Sequence, residues 1–197
     1  MSASDSDAPS LAKPPSFVFV TGNASKRREA ERILGRSLDC RPIDLPEIQS
    51  LDPIAVLDAK VREAHRRLGR PVVVEETSLA LVAMSGFPGP LIKWMLEAMG
   101  ADGLARSALA LDDARAEAIC HLAHYDGRTI RIAEGRTAGR LVLPPRGTRG
   151  FGWDPVFESA EDGRTFAEMP PDLKDRLGHR GRAWRAFRSR LEADQLL

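Results

Sequence analysis

The stretch PVVVEETSLA, residues 71–80, constrains the fold more than any other part of the chain. Val72, Val73 and Val74 favour a strand buried on both faces, the kind that lies inside a sheet covered by helices. Glu75 and Glu76 follow at once. Carboxylates at the end of a buried strand need water, a cation or a basic partner, because a buried unpaired charge is costly. In open α/β sheets the ligand crevice lies beyond the carboxyl ends of the strands, so a strand ending here delivers its acids to that crevice. Successive strand residues point to opposite faces, and the two glutamates cannot aim one way without a bend. One is expected to act directly and the other to support it.

The rest of the chain supplies a sheet for this strand. SFVFVTGN reads as a short buried strand closed by Gly22 and Asn23. ASKRREAERILG reads as a helix capped by Asn23 or Ser25, with Ala30, Ile33 and Leu34 as its apolar stripe and Gly35 as its stop. LDCRPIDLPEIQS is a weaker strand running into a loop. From Pro53 to Leu68 the residues Ile54, Leu57, Val61, Ala64 and Leu68 recur at helical spacing. Beyond the valines come the loop GFPGP and two short helices, LIKWMLEAMG and DGLARSALAL, parted at Gly100. RAEAICHLAHYDGRTIRIAEG predicts an antiparallel hairpin with a tight I′ turn at Asp126-Gly127. GRLVLPP predicts a further strand, FGWDPVFE a strand or loop, and PPDLKDRLGHRGRAWRAFRSRL the last helices. Alternating strands and helices followed by a hairpin predict a mixed α/β fold.

Composition removes several classes of function. A formal net charge of +1 supplies no global field for nucleic acid or an anionic membrane, so neither is expected as a partner. Cys40 and Cys120 stand far apart, without metal-ligand spacing, and read as reduced thiols. Residues 1–15 are polar and proline-bearing and read as a disordered tail rather than a signal peptide. No apolar run reaches bilayer length. The expectation is a cytoplasmic protein with one domain at 16–197.

Candidate chemistry is spread along the chain. In TGNASK, Gly22 permits close backbone approach to a phosphate, the helix start offers N–H groups, and Lys26 adds a charge, though no Walker A pattern is present. Glu47 lies in a loop, Lys60 on the flank of a helix, and Lys93 beside Trp94. FGWD, residues 151–154, gathers aromatics, a glycine and an acid suited to holding a base. Taken singly, each has an ordinary explanation: a solvated acid, a snorkelling lysine, a packed aromatic.

Taken in order, they resemble one family. FVFVTGNASKRREAERIL, IDLPEIQ, VVVEETSL, GFPGPLIKWMLEAMG, GRTAGRLV, FGWDPVFE, TFAEMP and HRGRA resemble the inosine triphosphate pyrophosphatases, with GFPGPLIKW and AEMP similar to the eukaryotic-type branch. The matching stretches run from Phe17 to about Leu191. The resemblance implies a long central mixed sheet flanked by helices, two lobes with a deep nucleotide cleft between them, and a homodimer. It also implies Mg²⁺-dependent hydrolysis of deaminated purine nucleoside triphosphates (ITP, dITP, XTP) to the monophosphate and pyrophosphate.

By resemblance, Glu47 and Glu76 are the metal-binding acids and Glu76 is also the general base, with Glu75 the first alternative. Thr21, Gly22, Asn23 and Lys26 match the phosphate-binding turn, Lys60 and Lys93 the substrate-holding lysines, and Thr77 a further contact. Phe151, Gly152, Trp153, Asp154, Lys174, His179 and Arg180 match the base-recognition positions. A donor from Arg180 or Lys174 satisfies the carbonyl at C6 of hypoxanthine or xanthine, whereas the amino group of adenine would face it donor to donor. Two positions depart from the family pattern. Glu76 stands where aspartate is usual, moving the carboxylate by about 1.5 Å, one C–C bond. Gly178 stands where serine is usual before His179 and Arg180. The departure at Glu76 raises an alternative, a nucleotide-binding protein of the same fold with reduced or altered catalysis.

Overall fold

The structure is a computed structural model that describes residues 17–194; the tail expected at 1–15 lies outside the described residues. Its elements are β1 (Val18–Val20), α1 (Ala24–Leu34), β2 (Cys40–Arg41), α2 (Pro53–Leu68), β3 (Val72–Leu81), β4 (Pro88–Gly89) and α3 (Ile92–Leu109). They continue with β5 (Arg115–Tyr125), β6 (Ile130–Leu141), β7 (Phe157–Ser159), α4 (Pro171–Leu177) and α5 (His179–Ala193). The strands form one seven-stranded sheet ordered β2-β1-β3-β5-β6-β7, with β4 attached to β3. β1 is parallel to β2 and β3, and the remaining pairs are antiparallel, so the sheet is mixed as expected.

The valine strand is the axis of this sheet. Val72, Val73 and Val74 are fully buried, and burying such a side chain is worth roughly 1.5–3 kcal/mol. Val73 packs with Phe19 and Leu122 against Trp184 and Phe187 of α5. Val72 and Val74 pack on the other face against Leu57, Val61 and Ala64 of α2. Further along, Leu79 and Leu81 join Leu104, Phe157 and Phe166 in a third apolar cluster.

One expectation about β3 is corrected. The strand does not end at the glutamates; it continues through them to Leu81, because β5 pairs with it from Val72 to Leu81. The crevice arises on the opposite edge. There β1 pairs only with Val72 and Val73, and β4 only with Leu79 and Ala80. Among the described residues no strand pairs with that edge between Val74 and Ser78. Glu75, Glu76 and Thr77 sit in this gap, so the opening is made by β1 stopping early.

Two further expectations are corrected. GRLVLPP is not a separate strand: β6 runs unbroken to Leu141, its register with β5 held through Arg115↔Arg140. The hairpin turn spans residues 126–129 rather than two, since the Asp126 carboxylate accepts hydrogen bonds from the N–H groups of Arg128 (2.8 Å) and Thr129 (2.7 Å). The break at Gly100 is present, as a left-handed φ of 68° inside α3. Helix α5 lies very close to β6: a Cβ added to Gly135 would stand 2.2 Å from the carbonyl oxygen of His179 and 2.3 Å from the nitrogen of Ala183. No helix among the described residues is long and apolar enough to cross a membrane.

Candidate active site

The turn after β1 is held by its own side chains. Asn23 caps α1, its Oδ1 accepting from the N–H groups of Ser25 (2.9 Å) and Lys26 (3.1 Å), while its own N–H donates to Thr21 Oγ1 (3.1 Å). Those two helix N–H groups are therefore already satisfied, and the charge this turn offers an anion comes from Lys26. Its ammonium reaches across to Glu75 at 3.1 Å.

Glu75 and Glu76 take different partners. On the face covered by α5, Arg180 Nε lies 3.0 Å from both Glu75 oxygens, and Thr77 Oγ1 donates to Glu75 at 3.0 Å. Arg180 also donates to Glu29 at 2.7 Å, and Lys174 bridges Glu29 (3.1 Å) and Asp154 (2.7 Å). Three cations, Lys26, Lys174 and Arg180, thus balance three buried acids, Glu29, Glu75 and Asp154. Burial alone would raise the Glu75 carboxyl, but Arg180 and Lys26 outweigh it and hold it well below the usual carboxylate range. Burial likewise opposes ionisation of Glu29, and Arg180 and Lys174 prevail there too. At Asp154 burial dominates and pushes the carboxyl up.

On the face covered by α2, Lys60 joins the other two acids. Its Nζ lies 2.7 Å from Glu47 Oε1 and 2.8 Å from Glu76 Oε2, and Lys93 stands 3.4 Å from Glu47 Oε2. Burial disfavours the Lys60 charge, but Glu76 and Glu47 more than restore it and raise its pKa. No group of three or more Asp, Glu, His or Cys side chains able to hold a metal occurs among the described residues. Two carboxylates are what Mg²⁺ uses when phosphate oxygens and waters complete its octahedron, so Glu47 and Glu76 fit it as a pair.

The other end of the cleft is aromatic. The Phe151 N–H donates to Asp154 Oδ2 at 2.8 Å, fixing the FGWD turn. The Phe151 ring stacks under Lys174 (5.1 Å) and Arg180 (5.4 Å). His179 lies against Trp153 (5.4 Å) and Phe166 (5.6 Å), is 1% exposed, and has no hydrogen-bond partner on either ring nitrogen among the described residues. Burial, then Arg180 and Lys174, hold this imidazole well below its usual pKa, so it is neutral, with one donor and one acceptor nitrogen.

Cavities of about 340 and 510 Å³ adjoin here, sharing Asn23, Lys26, Glu47, Lys60, Glu75 and Lys93. Thr21 and Gly22 line the larger; Glu76, Thr77, Phe151, Gly152, Trp153, Asp154, His179 and Arg180 line the smaller. Every residue given a catalytic, metal-binding or substrate-binding role from the sequence lines this cleft except Lys174, which stands behind Phe151, buried between Glu29 and Asp154. Glu29 was not anticipated, because in KRREAER it reads as one more charge on an exposed helix face. The departure at Gly178 has a structural counterpart: its N–H closes the last turn of α4 on the Lys174 carbonyl oxygen at 2.7 Å, and a Cβ there would stand 2.6 Å from that same oxygen.

A cleft beside the strand ends of a mixed α/β sheet, with lysines and paired acids at one end and stacked rings at the other, defines a protein built to hold a phosphorylated ring compound. The family model described as the Ham1 family matches residues 17–190. An inosine triphosphate pyrophosphatase from Batrachochytrium dendrobatidis is 44% identical over 172 residues, covering 85% of this chain and 90% of that protein. The structure of a HAM1 protein from Coxiella burnetii aligns with TM-score 0.76 at 25% identity, over 90% of this chain and 98% of that one. A nucleoside-triphosphatase, dITP/XTP pyrophosphatase, from Mycobacterium abscessus aligns with TM-score 0.66 at 27% identity, over 87% and 98%. The chain belongs to the Ham1 family.

Proposed function

We propose that this protein hydrolyses deaminated purine nucleoside triphosphates (ITP, dITP and XTP) to the monophosphate and pyrophosphate with Mg²⁺, clearing them from the nucleotide pool. The observation that carries the reading is the meeting of Glu47, Glu76 and Lys60 within 2.8 Å contacts in the same cleft as the Phe151–His179 pocket. The names of the matched relatives support the reaction and the base class.

Each residue has a role that follows from its position. Lys26, Lys60 and Lys93 line the cavity on the polyphosphate side and answer its charge. Glu47 and Glu76 would hold Mg²⁺, which when bound would supply Lewis-acid polarisation of the phosphate oxygens. Glu76 takes a proton from the attacking water. The water oxygen bonds to the α-phosphorus while the bond from that phosphorus to the α–β bridging oxygen breaks, and pyrophosphate leaves. Glu75, tied to Arg180, Lys26 and Thr77, fixes the floor of the site. Phe151 stacks on the base. Neutral His179 and the remaining donor capacity of Arg180 meet the carbonyl and adjacent N–H of a deaminated purine, and an amino group at C6 leaves a donor unpaired.

Incubation with ITP and Mg²⁺, with products separated by chromatography, should give IMP and pyrophosphate. IDP and orthophosphate would overturn the reading. The proposed setting is the cytoplasm and the proposed assembly a homodimer, for which exposed Val82 and Phe87 near β4 supply apolar surface; sedimentation measures the assembly.

A further inference from the structure

Lys60 occupies the point toward which both metal-binding acids turn. Its ammonium sits 2.7 Å from one oxygen of Glu47 and 2.8 Å from one oxygen of Glu76. The Lys60 side chain is only 12% exposed and that of Glu76 11%, so little water dilutes the contact. Mg²⁺ binds carboxylate oxygens at about 2.0–2.1 Å, so a dication on these two oxygens would lie a few ångströms from the Lys60 ammonium and be repelled by it. Charge points the same way. Glu47 and Glu76 are answered by Lys60 and Lys93, leaving the two acids no unbalanced negative charge between them to attract a dication.

We infer that Lys60 is a built-in stand-in for the divalent cation: it neutralises Glu47 and Glu76 until a polyphosphate draws its ammonium away. A nucleoside triphosphate brings about four negative charges and oxygen acceptors for lysine. Lys60 then exchanges carboxylate partners for phosphate oxygens, and Glu47 and Glu76 become available together. The ligand this cleft accepts is therefore the metal–nucleotide chelate, and free cation binds poorly without nucleotide. This inference rests on the proposed function for the identity of the two acids.

The test is Mn²⁺ binding to nucleotide-free protein, read from the loss of the free-ion signal in electron paramagnetic resonance. Lys60→Met should bind Mn²⁺ at least about tenfold more tightly than wild type, since a buried positive charge next to the site has been removed. Adding Glu47→Gln to Lys60→Met should abolish the gain. Lys93→Met should give a smaller gain, because Lys93 touches Glu47 alone and its side chain is 56% exposed. Lys60→Gln is measured alongside in case the methionine variant does not fold. Equal Mn²⁺ affinity in wild type and both Lys60 variants overturns the inference, as does a gain that survives Glu47→Gln. Wild type that fails to hydrolyse ITP removes the proposed function but leaves the Mn²⁺ comparison intact. Normal hydrolysis with unchanged Mn²⁺ affinity removes the inference alone.

Discussion

Glu75 and Glu76 are neighbours in the chain that share no basic partner: Arg180 and Lys26 hold the first, and Lys60 holds the second. The alternation of β3 separates them, and the unpaired edge of the strand lets both reach one cleft. Glu75 is locked into a buried network, whereas Glu76 shares a single lysine with another acid. Their substitutions should therefore fail in different ways.

Glu75→Gln takes from Arg180, which is 3% exposed, its bidentate partner and from Lys26 its carboxylate, leaving Glu29 to answer Arg180. Breaking one side of a buried ion pair costs about 3–5 kcal/mol. Urea denaturation at neutral pH should show a loss of that size, and a loss near zero would mean that the network is not structural.

Glu76→Gln should behave in the opposite way. Glu47 still answers Lys60, so the stability loss should be smaller than that of Glu75→Gln. Turnover of ITP should fall by about 10²–10⁴-fold, the usual worth of a general base. Unchanged kcat would move the base to another group.

Phe151→Ala removes the ring proposed to stack on the base. Stacking on an aromatic side chain is worth about 1–3 kcal/mol per base, so KM for ITP should rise about tenfold or more with little change in kcat. A kcat effect without a KM effect would place Phe151 nearer the phosphates than the cleft suggests.

His179 sets an acid limit on stability. Burial first, then Arg180 and Lys174, depress its folded pKa below the ordinary 6.5, and burial depresses that of His124 as well. A histidine kept neutral by folding contributes stability that is whole above pH 6.5 and is lost as pH falls through the folded pKa. Glu29 and Glu75 are also depressed, so their contribution is lost only at lower pH, below the ordinary carboxylate value. Thermal melts should show Tm falling as pH drops below 6.5, and His179→Asn should flatten that slope. Equal slopes would contradict the assignment.

Much of this was readable from local signals. The cap at Asn23, the core of the α2 stripe (Leu57, Val61 and Ala64, though Ile54 is exposed and Val56 is buried in its place) and the break at Gly100 each depend on residues close in sequence. Tertiary pairing was not readable. Nothing in VVVEETSLA shows that β5 would carry the strand through its own carboxylates. Nothing near Lys174 or Arg180 shows that Glu29, some 145 and 151 residues away, would take up their charge.

The close seat of α5 on Gly135 has a consequence for how the pocket can change. His179 and Arg180 stand at the start of a helix whose first turns meet bare main chain at Gly135, with no strand side chain there to trim or repack. Their height above the floor is thus a fixed dimension of the scaffold. New substrate preferences would have to come from the loop carrying Phe151 or the turn carrying Gly178, since thickening residue 135 by a single methyl would lift the whole helix.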